Sequence, residues 1–265
     1  MAGKTDASNG LKNVLLVLSG PSGSGKNTLI NCIIGSRPDA VHGTSVTTRQ
    51  PRSFERDGVD YFFRTRDEFL RMIEENGLIE WDVYRDNYYG TPVFDIRQKL
   101  DSGRNVVLDI TVPGARSVKK MFGDDARTVF ILPPSVRKLR RRLLDRKGDS
   151  PDIIEKRIRF AIESEILSCG EFDYVIENDD LETACRGILA IYDSLTSDDA
   201  EAARAAEQMK TENCAERTSR KIAELLREIG GEDDGEIGGE GGEIGGKGGC
   251  GPLPKAGSKP PFTEK

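Results

Sequence analysis

Histidine is almost absent from this chain: one residue, His42, in 265. A metal site built on several histidines cannot form within it. A Ser-His-Asp triad has only that one residue to draw on, and His42 reads as a loop position. Cysteine is sparse as well. The five, Cys32, Cys169, Cys185, Cys214 and Cys250, are odd in number and include no C-x-x-C pair, so reduced thiols in a cytoplasmic setting are expected. No run of about 18 apolar residues occurs, and no transmembrane helix is expected. The first residues, MAGKTDASNG, lack the apolar core of a secretory signal, and 1–12 reads as a flexible lead-in. Apolar residues make up 36% of the chain, low for a compact domain of this length, which places part of it outside a core. The net charge of −6 argues against polyanion binding by the chain as a whole. No nucleic-acid partner, no membrane and no obligate protein partner is expected.

What is present follows an order. Val14–Leu18, VLLVL, is a continuous apolar run, as a central strand buried on both faces would be. Further strands are expected at Asn105–Ile110, Thr128–Leu132 and Tyr174–Ile176. Helical patterns fall at Asp67–Asn76, Phe94–Leu100, Ser135–Arg146, Pro151–Ser168 and Leu181–Leu195. Strands alternating with helices predict an α/β fold with a mostly parallel core sheet. Residues 44–92 depart from this pattern. Thr, Tyr and Phe recur there at short, strand-like spacing among charges, and the stretch reads as an inserted subdomain. Residues 197–229 are charged, with Ile222, Leu225, Leu226 and Ile229 at helical spacing, which predicts a helical extension. From 230 to 265 the E-I-G-G units carry too few apolar groups to offset the ordering entropy of so much glycine, and disorder is expected.

The chemistry begins at Ser19–Ile30, SGPSGSGKNTLI. Gly20, Pro21, Ser22, Gly23, Ser24, Gly25 and Lys26 form G-x-x-x-x-G-K, preceded by a strand and followed by a helical face of Leu29, Ile30, Ile33 and Ile34. In that context backbone N–H groups can point at phosphate oxygens. The helix start adds partial positive charge, and Lys26 supplies a mobile cation. The next position is ordinarily Ser or Thr, with its hydroxyl on Mg²⁺. Here it is Asn27, whose carboxamide oxygen can reach the ion directly or through water, with the Thr28 hydroxyl beside it. Altered metal affinity and intact phosphate binding are expected.

Further segments follow in order. They are Thr47–Arg52 (TTRQPR), then Glu55, Gly58, Asp60 and Tyr61; Ile79–Pro92 (IEWDVYRDNYYGTP); Val106–Ile110 (VVLDI); Pro133–Ser135 (PPS); and Phe172–Asp180 (FDYVIENDD). Together, over about 13–195, the chain resembles the guanylate kinase family. The resemblance implies a P-loop kinase domain at 13–196, with 44–92 as a GMP-binding subdomain and 135–168 as a helical lid. It implies ATP with Mg²⁺ as donor and GMP or dGMP as acceptor. Arg49 and Arg52, whose forked donors suit a dianion, would hold the GMP phosphate with Tyr61 and Tyr89, and Glu55 belongs to the same segment. Glu80 would accept the two adjacent N–H donors of guanine, and Ser45 and Thr91 would contact the base. Asp109 would hold the water shell of Mg²⁺ together with Asn27, and Asn178 would lie near the adenine. Arg142, Arg146 and Arg157 match the lid's phosphate-contacting arginines, which would close over ATP and exclude water. With Lys26, Arg49 and Asp109 they form the expected catalytic set.

One departure stands out. The family usually carries a second acid two positions after the aspartate of LDI, where this chain has Thr111. Guanine selectivity is then expected to rest mainly on Glu80, with discrimination narrowed roughly ten- to a hundredfold. Pro113 also stands where the family commonly has Gln. Two other readings stay open: a binding module on this scaffold that has lost catalysis and grips peptides, and a P-loop kinase with a phosphorylated-sugar acceptor.

Overall fold

The computed structural model describes residues 13–84, 86–145 and 150–230. In chain order its elements are β1 (Leu15–Ser19), α1 (Lys26–Ser36), β2 (Ala40–His42), β3 (Val46–Thr47), β4 (Phe62–Phe63), α2 (Arg66–Glu74), β5 (Leu78–Tyr84), β6 (Asn87–Pro92) and α3 (Val93–Asp101). They continue with β7 (Asn105–Asp109), α4 (Val112–Phe122), β8 (Ala126–Leu132), α5 (Val136–Leu144), α6 (Pro151–Phe160), β9 (Tyr174–Glu177), α7 (Leu181–Thr196), α8 (Ala200–Glu207) and α9 (Thr211–Gly230). Among the described residues no helix is long and apolar enough to cross a membrane.

The continuous apolar run is explained by where β1 lies. It is the middle strand of a five-stranded sheet, order β2-β7-β1-β8-β9, parallel throughout. Every residue of β1 is buried. Leu15 and Val17 face one apolar cluster, with Val118 of α4, Leu139 of α5 and Ile158 of α6. Leu16 and Leu18 face the other, with Leu29 and Ile33 of α1 and Ile188 of α7. Helices thus cover both faces, as an all-parallel sheet requires.

The inserted piece forms its own four-stranded sheet, order β4-β3-β6-β5. It mixes a parallel pair with antiparallel ones. Its small core is Val46, Phe69 and Leu78. Phe69 comes from α2, whose start carries a capping box: Thr65 accepts from the Glu68 N–H and the Glu68 carboxylate accepts from the Thr65 N–H, so two otherwise open donors are satisfied.

Several expected elements shift. His42 ends strand β2 rather than lying in a loop. The helix expected at Pro151–Ser168 stops at Phe160. A wide π turn follows at Ala161–Glu165 and a 3-10 stretch at Ile166–Glu171. The helix expected over Ser135–Arg146 is described as Val136–Leu144 with Ser135 as its cap. Arg146 lies outside the described residues, as do the lead-in 1–12 and the tail 231–265.

The extension is helical and packed. Met209–Thr211 runs along the outer edge of β9, with the Val175 N–H donating to Met209 O at 2.9 Å and the Thr211 N–H to Asp173 O at 3.0 Å. Those bonds cover an edge that would otherwise expose unpaired backbone groups. Cys214 and Leu225 of α9 are buried in the main core. Leu225→Ala is therefore expected to destabilise the protein by about 2–5 kcal/mol, the usual cost of a buried Leu truncation, in a denaturant titration. A change under about 0.5 kcal/mol, typical of a surface site, would show that α9 is not part of the cooperative unit.

Candidate active site

The loop leaves β1 and enters α1 at the carboxyl end of the parallel sheet, where ligands collect in open α/β folds. Its backbone demands glycine. Gly20 has φ 130°, and a Cβ there would meet Ile131 O at 2.5 Å. Gly25 has φ 98°, and a Cβ would meet Asn178 Nδ2 at 2.2 Å. Gly25 also caps α1, and no side chain satisfies the first N–H groups of that helix. The Thr28 N–H turns back to Gly25 O at 3.1 Å; the Lys26 and Asn27 N–H groups precede any intrahelical acceptor and remain available to an anion.

Lys26, the first residue of α1, turns back on the loop. Its Nζ donates to Gly20 O at 2.7 Å and Pro21 O at 3.2 Å. It lies 3.7 Å from Asp109 Oδ1. Asp109 is adjacent because it ends β7 in register with Leu18 of β1. Asn27 and Thr28 follow on the exposed side of the first turn.

Asn178 does not turn toward open space. Its carboxamide is buried and donates to Ser24 O at 2.7 Å. Arg142 of α5 donates to Asn178 O at 3.0 Å and to Ser24 O at 3.4 Å. Both residues therefore brace the loop. Arg157 is half-buried on α6.

On the subdomain side, Arg49 forms a bidentate pair with Glu55, both bonds at 2.9 Å. The guanidinium stands over Tyr61, 5.4 Å from the ring centroid. The Arg52 N–H also donates to Glu55, at 2.7 Å, while the Arg52 side chain is exposed. The Arg49 pairing holds the Glu55 carboxyl below its ordinary range. Glu55 thus orients the arginine. Tyr61 and Tyr89 meet edge to face. Opposite them, the Thr91 hydroxyl donates to Glu80 Oε1 at 2.7 Å.

One cavity of about 320 Å³ joins the two sides. Gly20, Lys26 and Asp109 line it from the loop side, and Ser45, Tyr61, Glu80, Tyr89 and Thr111 from the opposite side. Two further carboxylates, Asp82 and Glu165, also line it and were not among the expected residues. Asp82 had a readable signal. It stands two residues after Glu80 on β5, hence on the same face of the strand. Glu165 had none, because its direction depends on the π turn that ends with it.

Comparison with known proteins decides the family. The guanylate kinase family model matches residues 12–194. The chain belongs to the guanylate kinase family. The guanylate kinase of Bacillus subtilis (strain 168) is 45% identical over 181 residues, 68% of this chain and 88% of that protein. That of Synechocystis sp. is 43% identical over 181 residues, covering 94% of its own length. The crystal structure of guanylate kinase from Anaplasma phagocytophilum aligns with a TM-score of 0.53 at 30% identity, covering 76% of this chain and 98% of that one. Membership makes the chain a transferase of the nucleoside monophosphate kinase type.

Within this guanylate kinase site, Glu80 sits in a demanding environment. Burial pushes its pKa up, and the negative charges of Asp82 and Asp109 add to this; the bond from Thr91 opposes it. Gly114, at the start of α4, lets the carboxylate sit close, since a Cβ there would meet Glu80 Cγ at 2.9 Å. Thr111 caps the same helix, its hydroxyl accepting from the Gly114 N–H at 3.2 Å. A carboxyl whose folded pKa is raised favours folding when protonated, and that contribution is lost as pH rises through the folded value. Glu80→Gln keeps an acceptor for Thr91 and removes the buried charge. It is expected to raise the unliganded protein's stability above wild type at pH 7–8, with the gap closing as pH falls through the carboxylate range. Thermal melts across pH check this, and a destabilised variant at pH 8 would contradict it.

Proposed function

We propose that this chain catalyses in-line transfer of the γ-phosphoryl group of ATP to GMP, giving ADP and GDP, with Mg²⁺ as the ion and dGMP as a second acceptor. The observation that carries the reading is the shared cavity: a loop cation, Lys26, and a base-reading carboxylate, Glu80, open onto one space. A donor phosphate and an acceptor nucleotide can meet there without crossing bulk water.

The loop's N–H groups and Lys26 would hold the donor phosphates. Phosphoryl transfer asks little covalent help of a protein; it needs alignment and positive charge around the moving group. Arg142 and Arg157, from the two lid helices, would add that charge, and Arg146 belongs to the same proposal by sequence. Arg49 and Arg52, with the phenols of Tyr61 and Tyr89, would hold the acceptor phosphate. Ser45, Thr91 and Thr111 would border the base that Glu80 reads. No side chain need act as a general base, because the GMP phosphate is already ionised.

The residues present fit Mg²⁺. The ion takes oxygen ligands, keeps several waters and leans on substrate phosphates. The Asp109 carboxylate, the Asn27 carboxamide oxygen and the Thr28 hydroxyl offer oxygen donors beside the loop. Among the described residues no cluster of three acidic, His or Cys side chains that could hold a metal ion is present. When bound, it would neutralise charge on the β- and γ-phosphates. We place the activity in the cytoplasm, where ATP and GMP are found together.

Lys26 seated in its loop and Glu80 seated behind Thr91 weigh against an inactive peptide-binding module and against a sugar acceptor. The test is Mg²⁺- and ATP-dependent ADP formation with GMP, dGMP, IMP and AMP as separate acceptors. Turnover is expected with GMP and dGMP and almost none with AMP. Lys26→Ala is expected to lower kcat about 10²–10³-fold, the scale of losing one fixed charge-stabilising donor; essentially intact turnover would sink the mechanism. Thr111→Asp keeps a good helix cap and adds a second acceptor carboxylate. It is expected to widen the preference for GMP over IMP roughly ten- to a hundredfold, and an unchanged ratio would show that this position does not read the 2-amino group.

A further inference from the structure

The family match ends at residue 194, yet α9, beyond it, is bonded to the elements that frame the loop. We propose that α9 is a strut that positions the donor-nucleotide half of the site, with Lys221 and Glu228 as its positioning residues. The proposal rests on the assignment of ATP to the loop side made above.

Lys221 pins two strand ends at once. Its Nζ donates to Pro134 O at 3.1 Å, in the turn between β8 and α5. It also pairs with Glu177 Oε1 at 3.1 Å, on the last residue of β9, and with Glu224 of its own helix at 3.0 Å. The residue after Glu177 is Asn178. Its N–H donates to Leu132 O of β8 at 2.9 Å, and its carboxamide holds Ser24 O of the loop. From the Lys221 ammonium to the phosphate loop there is one ion pair, one peptide link and one buried hydrogen bond.

Glu228 acts on the neighbouring helix. Its carboxylate accepts from the Val136 N–H at 2.8 Å, a first-turn donor of α5 that the Ser135 cap leaves open, since Ser135 accepts from Lys138. A negative charge at that end also complements the partial positive charge of the helix N-terminus. The α5 helix fixed in this way carries Arg142, bonded to Ser24 O and Asn178 O. It also carries Leu139 and Leu143, which lie against Gly23 of the loop.

The strut is itself anchored. Leu225 is fully buried, and Ile222 and Ile229 pack on the same core cluster. Apolar contacts hold α9 down while its charged side chains reach out. Among the described residues, the hydrogen bonds and ion pairs that α9 makes beyond itself run to Pro134, Val136, Phe172, Asp173 and Glu177, and to Glu207, Met209 and Lys210 of the segment that leads into it. The first five belong to the donor side or to the sheet behind it, and none of the eight lies in residues 44–92. A defect in the strut should therefore be felt by ATP and not by GMP.

The experiment uses the full chain with Lys221→Met, Lys221→Arg and Glu228→Gln. KM is measured for ATP and for GMP separately, and the Kd of ATP by calorimetry without GMP. Lys221→Met and Glu228→Gln are expected to raise the KM and Kd for ATP roughly 2- to 30-fold, the usual range for coupling through packed and bonded neighbours. The KM for GMP should stay within about twofold, and Lys221→Arg should recover most of the loss because a guanidinium can reach the same acceptors. Equal rises in both KM values, or an unchanged affinity for ATP, would overturn the proposal. If the wild-type protein binds ATP but does not phosphorylate GMP, the functional reading fails, and the ATP Kd values of the variants still decide the strut. Glu228→Gln preserves shape and a hydrogen-bond acceptor, so it keeps the test open should Lys221→Met fold poorly.

Discussion

The site depends on a short turn in which the chain passes from the middle strand into α1 with the amide donors of Lys26 and Asn27 left open. Leaving such groups open carries a free-energy cost in any folded protein, and the surrounding structure is arranged to hold them so. The carbonyl of Ser24 is fastened by Asn178 and Arg142. Lys26 is folded onto the carbonyls of Gly20 and Pro21. The strand beneath is buried on both faces. The loop is thus braced from outside while the Lys26 and Asn27 donors stay open, which is the pre-organisation that electrostatic catalysis requires.

The subdomain half of the cavity is built on another principle. Its charged side chains are oriented internally before any ligand arrives: Arg49 is paired with Glu55, and Glu80 is held by one hydrogen bond from Thr91 while its charge stays penalised by burial. The subdomain is small, with a core of three buried residues, and orders its side chains by hydrogen bonds more than by packing. A bidentate arginine pair and an edge-to-face tyrosine pair are directional contacts, and they set side-chain angles that a three-residue apolar core would leave loose.

Much of this was readable from the residues. The core strands announce themselves because a strand covered on both faces has no polar alternation to hide in. The loop and its helix follow from glycine spacing and apolar period. The subdomain was visible as a break in that rhythm, though two-residue strands such as Val46–Thr47 carry no periodicity of their own. What could not be read depends on long-range placement. One such placement is the bond from the Asn178 carboxamide to Ser24 O, across 154 residues of sequence. Glu165 gave no signal, because only the π turn directs it into the cavity, whereas Asp82 was readable from its spacing after Glu80. The extension was legible as helix but not as part of the core, because a single buried Leu225 and its flanking isoleucines give a weak signal in a charged stretch.

The π turn at Ala161–Glu165 changes how the chain counts. A regular helix advances by about 100° per residue, so one extra residue in a turn re-phases everything downstream by that angle. Here the re-phasing lets Ile166 and Cys169 face the core while Glu165 faces the cavity. A chain one residue shorter at this point would form a smoother helix and a poorer fit, with either the core residues or the carboxylate rotated out of place. Local regularity and correct phase cannot both be had on this segment, and the fold has kept the phase.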